Sequence, residues 1–147
     1  MSDGQSHQDE ESNKRPCVLV KLGGSAITEK DIFETVKQNT LNITTNQIQQ
    51  AIHENEQQGN DSEFILIHGA GSFGHFQAHE YGVSRGGLVG DDGNTHWRKG
   101  LALTRNSVTT LHQMVLSALV RQCGLPAVGV SLFPHGNLTF LQCYQCM

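Results

Sequence analysis

Two short apolar runs in this chain each stop abruptly at glycine, and this repeated junction restricts the available folds more than any other feature. Val18-Leu19-Val20 leads through Lys21-Leu22 into Gly23-Gly24. Phe64-Ile65-Leu66-Ile67 leads into His68-Gly69-Ala70-Gly71-Ser72-Phe73-Gly74-His75. Apolar runs of this length, closed by turn signals, read as buried strands. A third, Ala127-Val128-Gly129-Val130, follows Gly124 and Pro126. Helical stretches lie between them. Residues 45–58 carry Ile48, Ala51 and Ile52 at helical spacing, with Gly59 as a stop signal. Helical sequence resumes at Phe76. Residues 95–122 form the longest helical pattern, with Trp97, Leu101, Val108, Leu111, Val115, Ala118 and Leu119 as one apolar stripe. Residues 26–44 read as irregular with a small hairpin, and the glycine-rich stretch 82–94 reads as loop. The order predicts an α/β fold on a mainly parallel, open sheet.

The ends differ from this middle. Residues 1–15 contain no apolar residue after Met1, and residues 1–16 are expected to be a disordered acidic tail. They resemble neither a signal peptide nor an Arg-rich transit peptide, which points to the cytoplasm. Residues 138–147, LTFLQCYQCM, are apolar with no helix period, and the stretch from 135 reads as an aberrant or truncated tail. Lys and Arg number 10 against 14 Asp and Glu, a net charge of −4 with histidines neutral. That excludes a generically basic nucleic-acid binder and a polybasic membrane segment. No apolar run approaches the roughly 20 residues of a membrane span. Without a secretory signal, Cys17, Cys123, Cys143 and Cys146 read as thiols of a reducing compartment. Cys143 and Cys146 form a CxxC with no second pair, His135 being the nearest possible third zinc ligand.

Parallel strands present their C-terminal ends on one edge, where ligands bind. Glycines there let backbone N–H groups approach an oxyanion, and a helix opening just after the loop adds its positive dipole end. Phosphate binding at two neighbouring turns is the expectation. Gly69, Gly71 and Gly74 also satisfy GxGxxG, and Asp91 and Asp92 lie at the distance of the acidic residue in a dinucleotide site, but within a glycine-rich loop. An ordinary P-loop fits less well, since His75 stands at its lysine and Phe76 at its magnesium-binding hydroxyl. His75 and His79 have i, i+4 spacing, but Phe76 replaces the glutamate that HExxH requires.

Taken together, KLGGSAITEK and HGAGSFGHFQAHEYGVSRGG resemble the isopentenyl phosphate kinases of the amino-acid kinase superfamily, with fosfomycin kinases as close relatives. The resemblance runs over residues 17–134. It implies a three-layer αβα sandwich, here incomplete, whose N-terminal half holds the acceptor and whose C-terminal half holds the nucleotide. It further implies transfer of the ATP γ-phosphoryl to isopentenyl phosphate, giving isopentenyl diphosphate and ADP. ATP and Mg2+ are the implied cofactors, no nucleic acid is involved, and full-length members are expected to be homodimers.

The same resemblance distributes roles. Lys21 is expected to be catalytic at the ATP phosphates, where a cation balances charge between donor and acceptor. Lys30, nine residues on, matches the second lysine of a KLGGSxxTxK pattern and would stabilise the transferring group. Gly23, Gly24, Ser25 and Gly71 would donate to ATP. Gly69, Ala70 and Gly74 would line the acceptor side. Ala70 stands where archaeal-type members have glycine, which is harmless unless φ must be positive. His75 would bind and orient the acceptor phosphate, whose charge favours the imidazolium. His68 reads as a packed strand-end residue, and Arg85, Lys99 and Arg105 as surface. Complete members are considerably longer than 147 residues. Their downstream aspartate and adenine-binding segments have no counterpart here. A catalytically silent binding fragment, or a partner for a full-length subunit, is therefore the alternative to a working kinase.

Overall fold

The computed structural model describes residues 15–83, 94–131 and 142–146. Strand β1 spans Cys17–Leu22, followed by a single turn of helix α1, Gly24–Ile27, and by helix α2, Gln38–Gln57. Strand β2, Glu63–His68, leads through a 3-10 turn, Gly71–Phe73, into the short helix α3, His75–Glu80. Helix α4, Asn94–Ser117, continues as a π-helical turn, Ala118–Gln122, before strand β3, Ala127–Ser131, and strand β4, Gln142–Cys146. Of the tail expected to be disordered, residues 1–14 lie outside the described residues, whereas Arg15 and Pro16 are ordered against the fold: Arg15 Nε lies 3.0 Å from Asp61 Oδ2, and the Pro16 carbonyl accepts the Glu63 N–H. Most of the expected loop at 82–94 lies outside the described residues, as do Arg85, Asp91, Asp92 and His135.

The sheet order is β1-β2-β4-β3. Strands β1 and β2 pair in parallel, with Leu19 opposite Ile65 and Lys21 opposite Ile67. Strand β4 runs antiparallel to both β2 and β3, so β1, β2 and β3 all point the same way. These three are the strands expected from the apolar runs, but β1 is not the buried strand expected, since only Leu22 of its six residues is buried. β4 is a strand that the sequence reading did not assign. Its QCYQC carries little apolar pattern, and its place rests on backbone pairing to two neighbours.

Alternation divides the sheet faces. Val20, Leu22, Phe64, Leu66 and Ala127 pack with Leu41, Ile48 and Ile52 of α2 and with Leu111, Val115 and Leu116 of α4. Five positions of the expected α4 stripe, Val108, Leu111, Val115, Ala118 and Leu119, are buried. Thr104, Ser107 and His112 share that buried face, and no apolar stripe announces them. Leu19, Val128 and Val130, on the alternate face, remain exposed.

Helix α2 begins at Gln38 rather than near residue 45. Its first turns, QNTLNIT, are polar enough to read as irregular, yet Leu41 and Thr45 are fully covered once α2 docks. Tertiary packing outweighs weak local propensity here. The helix ends as expected at Gly59, which has φ +75. The Gly59 N–H bonds to the Glu56 carbonyl and the Asn60 N–H to the Asn55 carbonyl, the paired closure of a Schellman turn. Gly124, with φ +67, plays a similar part after the π turn, where the Leu125 N–H reaches the Leu119 carbonyl.

Candidate functional site

Because β1 and β2 are adjacent and parallel, their glycine turns emerge side by side. The Gly69 N–H bonds to the Leu22 carbonyl at 2.8 Å, carrying the pairing one step past the strands. Beyond it the two backbones touch. A Cβ on Gly24 would lie 2.3 Å from the Gly71 nitrogen, and one on Gly69 would lie 2.7 Å from the Gly24 nitrogen. Gly71 also has φ +50, a conformation that disfavours side chains. Ala70, by contrast, sits at φ −75 and ψ −27, so alanine is fully at home there.

The first turn bends directly into α1, where the Ala26 N–H bonds back to the Gly23 carbonyl at 3.0 Å and the Gly24 and Ser25 amides before it have no acceptor within the helix. Three of its carbonyls, in contrast, are engaged. Gly24 O accepts from the Thr28 N–H and from the Thr28 hydroxyl, Ile27 O from the Lys37 N–H, and Ser25 O from Lys37 Nζ at 3.0 Å. Lys37 stands at the start of α2, where the helix dipole disfavours a cation. Its ammonium is turned instead to the C-terminal end of α1.

Lys21 is exposed, one residue before the end of β1 and on the sheet face opposite the helical core. Lys30 is also exposed. It lies at the tip of a hairpin closed by the bridge between Thr28 and Val36 and by the Glu29 N–H to Thr35 carbonyl bond. Phe33 of that tip meets Phe76 edge-on, with ring centroids 5.8 Å apart. Phe76 in turn stacks against His75 at 4.4 Å. The hairpin bearing Lys30 is thus held against the start of α3.

His75 opens α3 on an exposed ring. Its Nδ1 lies 2.9 Å from the Gly71 carbonyl, which can only accept, so Nδ1 carries the proton. Nε2 is then an acceptor in the neutral ring and a donor only in the imidazolium. His68, with 1% exposure, is the packed strand-end residue expected. It stacks on His112, and its Nδ1 lies 3.2 Å from the Gly69 carbonyl.

The structure therefore brings Gly23, Gly24 and Ser25 together with Gly69, Ala70, Gly71, Gly74 and His75, and places the hairpin of Lys30 beside them. Lys21 precedes the first turn on the same edge. Thr28, which falls in the KLGGSxxTxK pattern but was given no role, and Phe33 and Lys37 were not singled out in the sequence. The available signal was Thr28 itself, a hydroxyl one helical turn after Gly24, within the stretch that ends at Lys30. Among the described residues, no group of three His, Cys, Asp or Glu is arranged to hold a metal ion, which leaves the His75–His79 pair without a third ligand. Cys143 and Cys146 fall on β4, while Cys17 and Cys123 are free thiols, exposed and buried respectively.

The model of the amino acid kinase family matches residues 16–140. The chain belongs to the amino acid kinase family. Relatives within this family sharpen the comparison. The chain is 33% identical to isopentenyl phosphate kinase of Arabidopsis thaliana over 147 residues, covering 80% of this chain and 43% of that protein. It is 36% identical to isopentenyl phosphate kinase of Methanothermobacter thermautotrophicus over 115 residues, covering 77% of this chain and 39% of that protein. A solved isopentenyl phosphate kinase superposes with a TM-score of 0.62 at 35% identity, covering 75% of this chain and 41% of that one. This amino acid kinase chain thus spans about two fifths of the length of the relatives it matches. No helix among its described residues is long and apolar enough to cross a membrane.

Proposed function

We propose that residues 17–134 of this chain form the acceptor-binding part of an ATP-dependent isopentenyl phosphate kinase. One observation carries the reading: two glycine turns from adjacent parallel strands are in backbone contact, with His75 hydrogen-bonded to the second of them. The similarity to isopentenyl phosphate kinases supports the choice of acceptor. On this reading the enzyme is cytoplasmic, and full-length members of the family are homodimers.

In the mechanism, an oxygen of the acceptor phosphate attacks the ATP γ-phosphorus as the bond to the ADP oxygen breaks. That oxygen is already anionic, so no strong base is required. Catalysis then consists of positioning and charge stabilisation. Imidazolium His75 donates from Nε2 to the acceptor phosphate and orients it. Lys21 and Lys30 offset the negative charge that donor and acceptor bring together. Amides of Gly23, Gly24, Ser25 and Gly71 donate to the nucleotide phosphates, and Gly69, Ala70 and Gly74 line the acceptor side. Mg2+ would supply further charge neutralisation. The described residues offer no carboxylate cage, so they do not by themselves fit a protein-held ion, and no step here depends on one.

The test is coupled ADP release from the folded 147-residue chain with magnesium, ATP and isopentenyl phosphate, beside His75→Ala. Turnover that needs isopentenyl phosphate and drops in the variant is expected of a working kinase. A second reading is binding of phosphate ligands without turnover, which needs only the two touching glycine turns and His75. Calorimetric binding of isopentenyl phosphate with no ADP release would select it. Absence of both binding and release would remove both readings.

A further inference from the structure

The mechanism uses amides from both glycine turns, and something must set the distance between them. Thr28 is placed to do so. It is fully buried, and its Oγ1 donates to the Gly24 carbonyl at 2.8 Å. The same oxygen accepts the Ser72 N–H at 3.0 Å. A hydroxyl has one proton and two lone pairs, so a single atom can serve a carbonyl of the first turn and an amide of the second. The space around it is closed: a Cβ on Gly71 would come within 2.0 Å of this oxygen. Thr28 is itself fixed by its N–H to the Gly24 carbonyl and by its bridge to Val36, at the root of the hairpin that carries Lys30.

We propose that Thr28 is a positioning residue whose hydroxyl holds the two glycine turns in the register at which their amides converge on one set of phosphates. The ligand part rests on the kinase reading above, whereas the tie between the turns does not. Valine at this position keeps the shape and loses both bonds, leaving the Ser72 N–H buried without its acceptor. Serine keeps the hydroxyl and loses one methyl.

Thr28→Val and Thr28→Ser are compared with wild type in the full chain. Two readouts are used: amide hydrogen exchange at Ser72, and calorimetric affinity for ADP and for isopentenyl phosphate. Expected for Thr28→Val is faster exchange at Ser72 and affinity per folded molecule lower by about tenfold or more. Expected for Thr28→Ser is restored protection and affinity within about threefold of wild type. A purely structural role would lower the melting temperature and leave affinity per folded molecule unchanged. A folded Thr28→Val with wild-type exchange and affinities overturns the proposal and leaves the kinase reading standing. If wild type binds neither ligand, the kinase reading and the ligand part fail together, and the exchange arm decides the tie. If Thr28→Val does not fold, the wild-type Thr28 hydroxyl proton decides it. A resolved, solvent-protected resonance near the Ser72 amide supports the tie, and a freely exchanging proton overturns it.

Discussion

The two glycine turns look alike in sequence and differ in what requires their glycines. In the second turn, Gly71 is forced twice, by a φ of +50 and by the backbone of Gly24 and the hydroxyl of Thr28 beside it. Gly69 is forced by the Gly24 nitrogen. In the first turn, Gly24 faces the second turn and has no room for a side chain, but Gly23 is different. It is extended, at φ −63 and ψ 136, and a Cβ there would meet only the Ala26 Cβ at 3.9 Å. Much of the glycine content that reads as a phosphate cradle is therefore required by two backbones crossing. Gly23 is the position that packing leaves open to a ligand.

The largest effect that tests this contrast is expected at the crossing. Gly71→Ala should destabilise the chain by about 3 kcal/mol or more, through positive-φ strain plus overlap, in chemical denaturation. A well-folded Gly71→Ala chain of wild-type stability would dissolve the distinction between the turns. Next comes His75→Ala. The exposed ring contributes little to the fold, so the melting temperature should hold, while affinity for isopentenyl phosphate falls by about tenfold. A large loss of stability instead would make the His75 to Gly71 contact a structural feature of the second turn.

Smaller effects sharpen the comparison. Ala70 occupies an ordinary right-handed conformation, so Ala70→Gly should cost about 0.5–1 kcal/mol by loosening the unfolded chain. A stabilising Ala70→Gly would mean that the turn prefers a conformation other than this one. Gly23→Ala should change stability by no more than about 0.5 kcal/mol. If it nevertheless weakens ADP binding in calorimetry, the open space beside Gly23 belongs to the ligand. If ADP binding is unaffected, none of the glycines in the first turn requires a phosphate to explain it.

Local signals were legible because they are local. The apolar runs at Val18–Leu22, Phe64–Ile67 and Ala127–Val130 fix three strands, and Gly59 and Gly124 mark the ends of helical segments by a backbone conformation that glycine adopts freely. The stripe from Val108 to Leu119 likewise shows which face of α4 is buried. From these the chain by itself determines an α/β fold with two glycine turns at one sheet edge.

Tertiary structure alone decided the rest. Leu41 and Thr45 begin α2 two turns early because docking buries them, and β4 joins the sheet through backbone pairing that its side chains do not announce. Which glycines are indispensable, and that Thr28 bonds to both turns, depends on two segments some 45 residues apart arriving in contact. Periodicity reads neighbours along the chain. It carries no record of which atoms meet across it, and a hydroxyl or a missing Cβ acquires its meaning only from the atom that the fold places beside it.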